Sequence, residues 1–353
     1  MKVNFLLPIN LVPTGGPKVV YEYANKMAAD GIAVTIVYPV ILRRDKAISA
    51  SLASRLHTQK KVITKLLKNK YSARVWFNIH PAVKEILVPH LAEKYIPDAD
   101  ITFATAWETA EWLNTYSSCK GKKMYLIQHY EDWNATKEEL DETWKMPLQK
   151  IVIARWLQDY ASSLGQPSVI VNNGLDFTTY TIESPIEERN PFQLIMLYHY
   201  YDWKGSADGL RAVIMAKEKN PNIELILFGT GERPVDIPAW IEYHQNPSNL
   251  KELYNRAAIF ISPSWGEGWA LPPAEAMQCG CAAIITDIGG HRDYGVCNED
   301  LLLVPSKNPE AMAKAITALT NNNTHRIKIA KSGNHTIQQF TWDRAYNKLK
   351  QYL

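Results

Sequence analysis

The sequence predicts an α/β protein of two domains, and three stretches carry that prediction. Residues 3–38 read strand, Gly-Gly loop, helix, strand. Residues 259–290 read the same way, with a Gly-rich loop and a short helix between two apolar runs. Between them the alternation restarts at residue 193, after an acidic, proline-containing segment at 183–191 that reads as a linker. Short apolar runs alternating with helical periodicity mark crossover units. At 353 residues the chain is long for a single core, so two domains of ordinary size are expected.

In the first domain, residues 3–7 form a buried strand, 10–16 the loop after it, and Pro17 opens a helix. Val19, Val20, Tyr23, Ala24, Met27 and Ala28 recur in that helix at three and four, and Gly31 closes it before a strand at 33–38. Gly15 and Gly16 thus fall in a strand-to-helix loop, where they serve either a phosphate contact or a tight turn. From 43 to 84, eleven basic residues stand against one acid, Asp45. Leu52, Leu56, Ile63, Leu66 and Leu67 fall near one face of a helical stretch over 51–71 with a lysine-rich outer side. That side is either a solvated face or a surface for anionic lipid or a polyanionic acceptor. Strands follow at 100–104, 123–128, 151–154 and 169–171, with a helix led by Trp107 and Glu108 after the first and another over 155–164. His129 ends the strand at 123–128; such a histidine is either structural or faces the crevice where open α/β sheets bind ligands.

In the second domain a strand at 193–198 leads to Lys204-Gly205, and Ser206 caps a helix to residue 219. A strand at 223–228 with the turn Gly229-Thr-Gly231 and a helix at 249–256 precede the strand at 259–262. Glu267 then lies between Gly266 and Gly268, which permit backbone angles and close approaches that a side chain would block. Pro272 and Pro273 suit a first helical turn, Gly280 ends that helix, and 282–286 is the next strand. Glu267 and Glu275, eight positions apart, flank amides at the partial positive end of a helix. Carboxylates accept from sugar hydroxyls and helix N-terminal amides bind oxyanions, so the arrangement suits a ligand with both hydroxyls and phosphate. The alternative is two solvated acids at a structural helix start.

Composition agrees with an ordinary globular protein, 46% of whose residues are hydrophobic. The net charge of +3, from 39 basic and 36 acidic residues, argues against wholesale nucleic-acid binding. Cys119, Cys279, Cys281 and Cys297 lack zinc-site spacing and are too few for a disulfide scaffold, which points to the reducing cytosol. No stretch reaches the length of a bilayer span, and the apolar start runs into Pro-Thr-Gly-Gly-Pro. The expectation is a cytoplasmic protein, neither exported nor transmembrane.

The run Glu267-Gly-Trp-Ala-Leu-Pro-Pro-Ala-Glu275-Ala-Met-Gln-Cys-Gly resembles the E-x7-E signature of retaining glycosyltransferases of the GT-B fold, family 4 in particular. Asn172-Asn-Gly-Leu-Asp176 resembles that family's PNGVD, Lys204-Gly205 its GRLxxxKG, Gly229-Thr-Gly231 its GxG, and Gly289-Gly290 with Asp293 its GGxxE. The resemblance is strong over 172–293 and only positional before that. It implies two Rossmann-like domains facing across a cleft: an acceptor-side domain over 1–185, with the helix at 341–353 packing back onto it, and a donor domain over 186–340. The implied activity is transfer of a hexosyl or deoxyhexosyl group, with retention, from a nucleoside-diphosphate sugar to a glycan or lipid-linked acceptor in cell-surface polysaccharide synthesis. No organic cofactor is implied, and no aspartate-rich cation motif calls for a metal. A peripheral place at the inner face of the membrane, through the basic stretch 43–84, goes with it.

The resemblance assigns Lys204, His199 and the amides of Gly268, Trp269, Ala270 and Leu271 to the donor diphosphate, Glu267 to the donor-sugar hydroxyls and Glu275 to the ribose. Gly15, Gly16 and Gly229 line the donor site, and His129 lies beside the donor sugar. His199 stands where the family has arginine, five positions before Lys204, and is expected either as a titratable cation or as a neutral ring held by its neighbours. A nucleotide-sugar epimerase or hydrolase, and a non-catalytic sugar-nucleotide binding subunit, are the other readings.

Overall fold

In the computed structural model, residues 1–8, 14–67, 71–132 and 134–353 are described, and the chain divides into two compact units, Met1–Asn173 with Ala345–Leu353, and Gly174–Arg344. The first unit runs β1 (Lys2–Leu6), α1 (Gly15–Ala29), β2 (Ala33–Ile41), α2 (Arg44–Ile48), α3 (Leu52–Leu67), β3 (Lys84–His90), β4 (Ile101–Ala104), α4 (Trp107–Asn114), β5 (Lys122–Ile127), α5 (Lys137–Lys145), β6 (Gln149–Val152), α6 (Arg155–Ser163) and β7 (Ser168–Ile170). Its seven strands are all parallel, in the order β3-β2-β1-β4-β5-β6-β7. Parallel strands covered on both faces need near-continuous apolar runs, and every residue of β4 is buried.

Three local readings change. Thr14 is the N-cap of α1, so Gly15 and Gly16 are its first two residues rather than part of a loop; the rest of the expected loop, 10–13, lies outside the described residues. Pro17 thereby takes the third helical position, still within the first turn, where its missing N–H costs nothing. The helix expected over 51–71 forms as α3 within the described residues, but the described part of its apolar stripe does not face the core: Leu52, Leu56 and Ile63 are exposed, while Thr58 is buried and the side chains of Leu66 and Leu67 lie outside what is described. Periodicity defines a face and leaves its direction open. The strand β3 carries no signal of its own, its alternation being broken by Lys84, Glu85 and His90.

The second unit runs β8 (Gln193–Leu197), α7 (Ser206–Lys219), β9 (Glu224–Gly229), β10 (Glu242–Gln245), α8 (Leu250–Arg256), β11 (Ile259–Ser262), α9 (Leu271–Gln278), β12 (Ala282–Thr286), β13 (Leu302–Val304), α10 (Pro309–Asn321) and α11 (Asn323–Ile337). Six parallel strands lie in the order β10-β9-β8-β11-β12-β13. Successive strand residues point to opposite faces. Leu194, Met196, Leu225, Leu227, Ile259 and Ile261 enter a core with residues of α7, α10 and α11, whereas Ile195, Ile226, Phe228 and Phe260 pack with Leu253 and Tyr254 of α8 and Ala276 of α9.

The segment read as a linker at 183–191 is built into this unit. Backbone amides of Glu183 and Ser184 donate to Asn255 Oδ1 at 2.7 and 3.2 Å, and the buried Arg189 donates to the carbonyls of Ser184, Ala257 and Cys279. Acids and a proline suggest a linker, but here they flank an arginine that satisfies backbone carbonyls. The last helix, α12 (Trp342–Lys350), brings Tyr346 and Lys350 to Asp30 at the end of α1, at 3.0 and 2.9 Å.

Candidate functional site

In the second sheet the strand order reverses between β8 and β11: the chain passes from β8 outward to β9 and β10, then returns to β11 on the other side. A crevice at the carboxyl ends of two such strands is where open α/β sheets take their ligands. Lys204 follows β8 and Glu267 follows β11, and the fold brings them together. Lys204 Nζ donates to Glu267 Oε1 at 2.7 Å, with the two side chains 20% and 11% exposed. The Ser264 hydroxyl donates to the same oxygen at 2.8 Å, and Lys204 Nζ lies 4.2 Å from the centroid of the Trp203 ring. Gly205 makes this meeting possible: its φ is +65°, and a Cβ there would fall 2.1 Å from the Pro263 carbonyl oxygen.

Behind the pair stands His291, which is wholly buried. Its Nδ1 lies 2.8 Å from the Thr286 carbonyl, which assigns the proton to Nδ1, and its Nε2 lies 3.4 Å from Ser262 Oγ. Burial holds His291 below the usual histidine range, against the pull of Glu267 and the Thr286 carbonyl. The Thr286 hydroxyl donates to the Ser264 carbonyl at 2.5 Å. A path of direct contacts therefore runs from His291 through Thr286 and Ser264 to Glu267. Sequence reasoning missed His291, Thr286 and Ser264, since each is a common residue with no spacing to mark it. Gly290 completes the support, because a Cβ there would come within 2.3 Å of the Glu267 carbonyl oxygen. Gly266, expected to need glycine's freedom, has nothing within 4 Å of its Cβ position and no left-handed φ.

The loop ends in α9, with Ala270 as N-cap and Leu271 first in the helix. Pro272 and Pro273 have no N–H, so of the first three helical residues Leu271 alone presents an amide. Glu275 sits one turn deeper than expected, at 7% exposure, hydrogen-bonded to Tyr180. Trp269 is buried, its ring 4.9 Å from Tyr294 and 5.4 Å from Phe340. Gly229 ends β9, where a Cβ would fall 2.6 Å from the Tyr198 carbonyl oxygen; its part is close packing of two strand ends.

His199 follows β8, and its Nδ1 accepts the Tyr201 backbone N–H at 3.1 Å. Burial and the Lys204 charge lower its pKa, opposed by Glu267. A cationic imidazole would forfeit the Tyr201 bond, so the free protein favours the neutral ring with its proton on Nε2, one of the two expected states. The ring lies 4.5 Å from Tyr201, not against Tyr198 or Tyr200.

The remaining candidates belong to the first unit. His129 follows β5; its Nδ1 lies 2.7 Å from the Tyr130 carbonyl and its ring 5.9 Å from Trp156. Gln128 donates to the Gly16 carbonyl at 3.1 Å, which draws the end of β5 to the start of α1. Three residues on from Gln128, Glu131 accepts the first amide of α4 from Trp107 at 2.9 Å. Burial pushes the Glu131 carboxyl up to about 8, with repulsion from Glu108 in the same direction. No spacing around residue 131 marks that acid.

Residues 180–336 match the family described as Glycosyl transferases group 1. D-inositol 3-phosphate glycosyltransferase of Xylanimonas cellulosilytica is 29% identical over 96 residues, which cover 27% of this chain and 23% of that protein. Phosphatidyl-myo-inositol mannosyltransferase of Mycobacterium tuberculosis is 22% identical over 204 residues, 53% of each chain. The chain thus spans about a quarter of the first of these relatives and half of the second. Among solved structures, Anabaena HepE in complex with UDP and glucose is similar with a TM-score of 0.75 at 14% identity, over 100% of this chain and 99% of that one. Two all-parallel α/β domains with this likeness have the GT-B fold, and residues 180–336 match the group 1 glycosyl transferase model.

Proposed function

We propose that the protein is a retaining, family 4 type glycosyltransferase. It moves a hexosyl or deoxyhexosyl group from a nucleoside-diphosphate sugar to a glycan or lipid-linked acceptor, in cell-surface polysaccharide synthesis. The observation that carries this reading is the 2.7 Å pairing of Lys204 with Glu267 at the switch point of the second sheet, beside the N-terminus of α9. A cation, an amide-bearing helix start and a carboxylate in one crevice suit a ligand that is phosphate at one end and polyol at the other. The names of the curated relatives, a glycosyltransferase and a mannosyltransferase, support it. So does the UDP and glucose bound by Anabaena HepE.

In this reading Lys204 turns from Glu267 to the donor diphosphate and offsets the charge that builds on it as the sugar–phosphate bond breaks. The Nε2–H of His199 and the amides of the 268–271 loop add neutral donors. Glu267 accepts from the donor-sugar hydroxyls and Glu275 from the ribose. The acceptor hydroxyl attacks from the face that the phosphate leaves, so we assign no general base and no covalent nucleophile, and neither metal nor organic cofactor. The proposed location is the cytoplasm, at the inner face of the membrane.

The test is product analysis with UDP-, GDP- and dTDP-sugars, each with and without saccharide and polyprenyl-linked acceptors. Anomer-retaining transfer to an acceptor is the expected result. Acceptor-independent conversion of the donor would replace this reading with an epimerase or hydrolase, and binding without turnover would leave a sugar-nucleotide binding subunit.

A further inference from the structure

The first unit leaves an amphipathic helix turned outward. Along α3, among side chains described, Thr58 is buried, Val62 and Lys65 are half-buried and the others are exposed. Leu52, Leu56 and Ile63 are 75%, 54% and 56% exposed and fall within roughly 40° of one another at 100° per residue. Ile48 at the end of α2 and Val75 are also exposed. These five are nearly half of the large apolar and aromatic residues that the described chain exposes, so their concentration in one short stretch is not the single scattering of an ordinary surface.

The charge around the stripe selects its partner. Lys60 borders it and Lys61 lies nearly opposite, both exposed, and no acid occurs from 46 to 84. Because eleven basic residues and one acid lie within 43–84 of a chain whose net charge is only +3, the rest of the chain is net negative. The positive face is therefore local to this segment. Among the described residues no helix is long and apolar enough to cross a membrane. A helix with an outward apolar stripe, lysine borders and no nearby acid matches a surface that offers acyl chains beneath anionic headgroups.

We infer that α2 and α3 seat this protein on an anionic membrane, with Leu52, Leu56 and Ile63 entering the headgroup–acyl boundary, Lys60 meeting lipid phosphates and Lys61 adding longer-range attraction from across the helix. The inference deepens the reading above by naming the surface on which a lipid-linked acceptor is met, and rests on that reading for its purpose only.

The test is sedimentation of the full chain with vesicles of phosphatidylcholine alone or mixed with phosphatidylglycerol, at low and high salt. Two variants accompany the parent: Leu52→Ser/Leu56→Ser/Ile63→Ser, and Lys60→Gln/Lys61→Gln, the latter altering exposed charge without touching packing. UDP affinity is measured on all three. The expected result is binding to the anionic vesicles alone, weakened by salt, with each variant losing about tenfold or more in partition while keeping UDP affinity. Equal binding to both vesicles, no binding, or binding indifferent to both variants overturns the inference. Self-association in solution that the serine variant abolishes, without vesicle binding, assigns the stripe to a second copy and overturns it as well. Vesicle binding by a protein that takes no nucleotide would instead leave the docking intact and remove the glycosyltransferase reading.

Discussion

His199 shows what a single side chain can decide at this site. Its Nδ1 is committed to the Tyr201 amide, and its pKa is lowered by burial and by Lys204, so in the free protein it is neutral at and above pH 7. A bound diphosphate would favour the cation and raise the pKa, so donor binding takes up a proton only where the free ring is neutral and the bound ring is charged. Affinity is therefore expected to be best at low pH and to weaken as pH rises from the free ring's pKa, below the ordinary value of about 6.5, through the raised pKa of the bound ring. Calorimetry with the best-bound nucleotide sugar checks this, since its diphosphate does not titrate there. His199→Arg should remove the dependence and tighten binding by roughly one to two powers of ten, the worth of a charge-assisted contact. A flat profile from about pH 6 to 8.5 in the parent would mean that the ring does not bind the diphosphate as a cation. Lys204→Ala removes the cation outright, so turnover and donor affinity should fall together by a similar factor. A variant with parental rates would take Lys204 out of the site.

At the scale of the element, the loop from β11 to α9 is held by what lies beneath it rather than by its own glycines. Gly290→Ala would drive a methyl group into the Glu267 carbonyl, whereas Gly266→Ala meets open space at an ordinary φ. The first substitution should therefore displace Glu267 and cost at least tenfold in donor affinity, by disturbing a charge-assisted contact. The second should leave affinity within a factor of about two, as surface changes usually do. Equal losses from both would mean that the loop depends on flexibility and not on its support. The contrast marks how far the sequence could be read. Strand, loop, proline-led helix and strand over 259–286 were legible because period, punctuation and proline position agree there. The supports were not, because His291, Thr286 and Ser264 act through contacts across loops that no spacing records. The outward turn of α3 was hidden for a related reason, since the same stripe serves a core or a membrane. The segment at 183–191 misled because Ser184, Pro185, Asn190 and Pro191 are turn-formers wherever they stand.

At the scale of the molecule, the same construction occurs twice. Each sheet reverses its strand order once, between β1 and β4 in the first unit and between β8 and β11 in the second, and each places helix starts at that reversal. The two reversals differ in chemistry. The second holds Lys204, a helix that opens on Leu271 and two prolines, and a carboxylate steadied by a buried histidine. The first carries Glu131 and Glu108, carboxyls whose pKa values burial raises, at the start of α4. A diphosphate is therefore drawn to the second reversal and is repelled by any ionised acid at the first. UDP alone should accordingly protect backbone amides of the 199–206 and 264–271 loops from hydrogen exchange, and do so less in Lys204→Ala, with little effect at 105–110 or 128–132. Ligand present at about 100 times its dissociation constant stabilises the native state by about 2.7 kcal/mol, which is ample for detection in segments that open with the whole unit. Protection centred on 105–132, or spread evenly over both units and unchanged in the lysine variant, would place the nucleotide elsewhere and remove the assignment of the donor to residues 174–344.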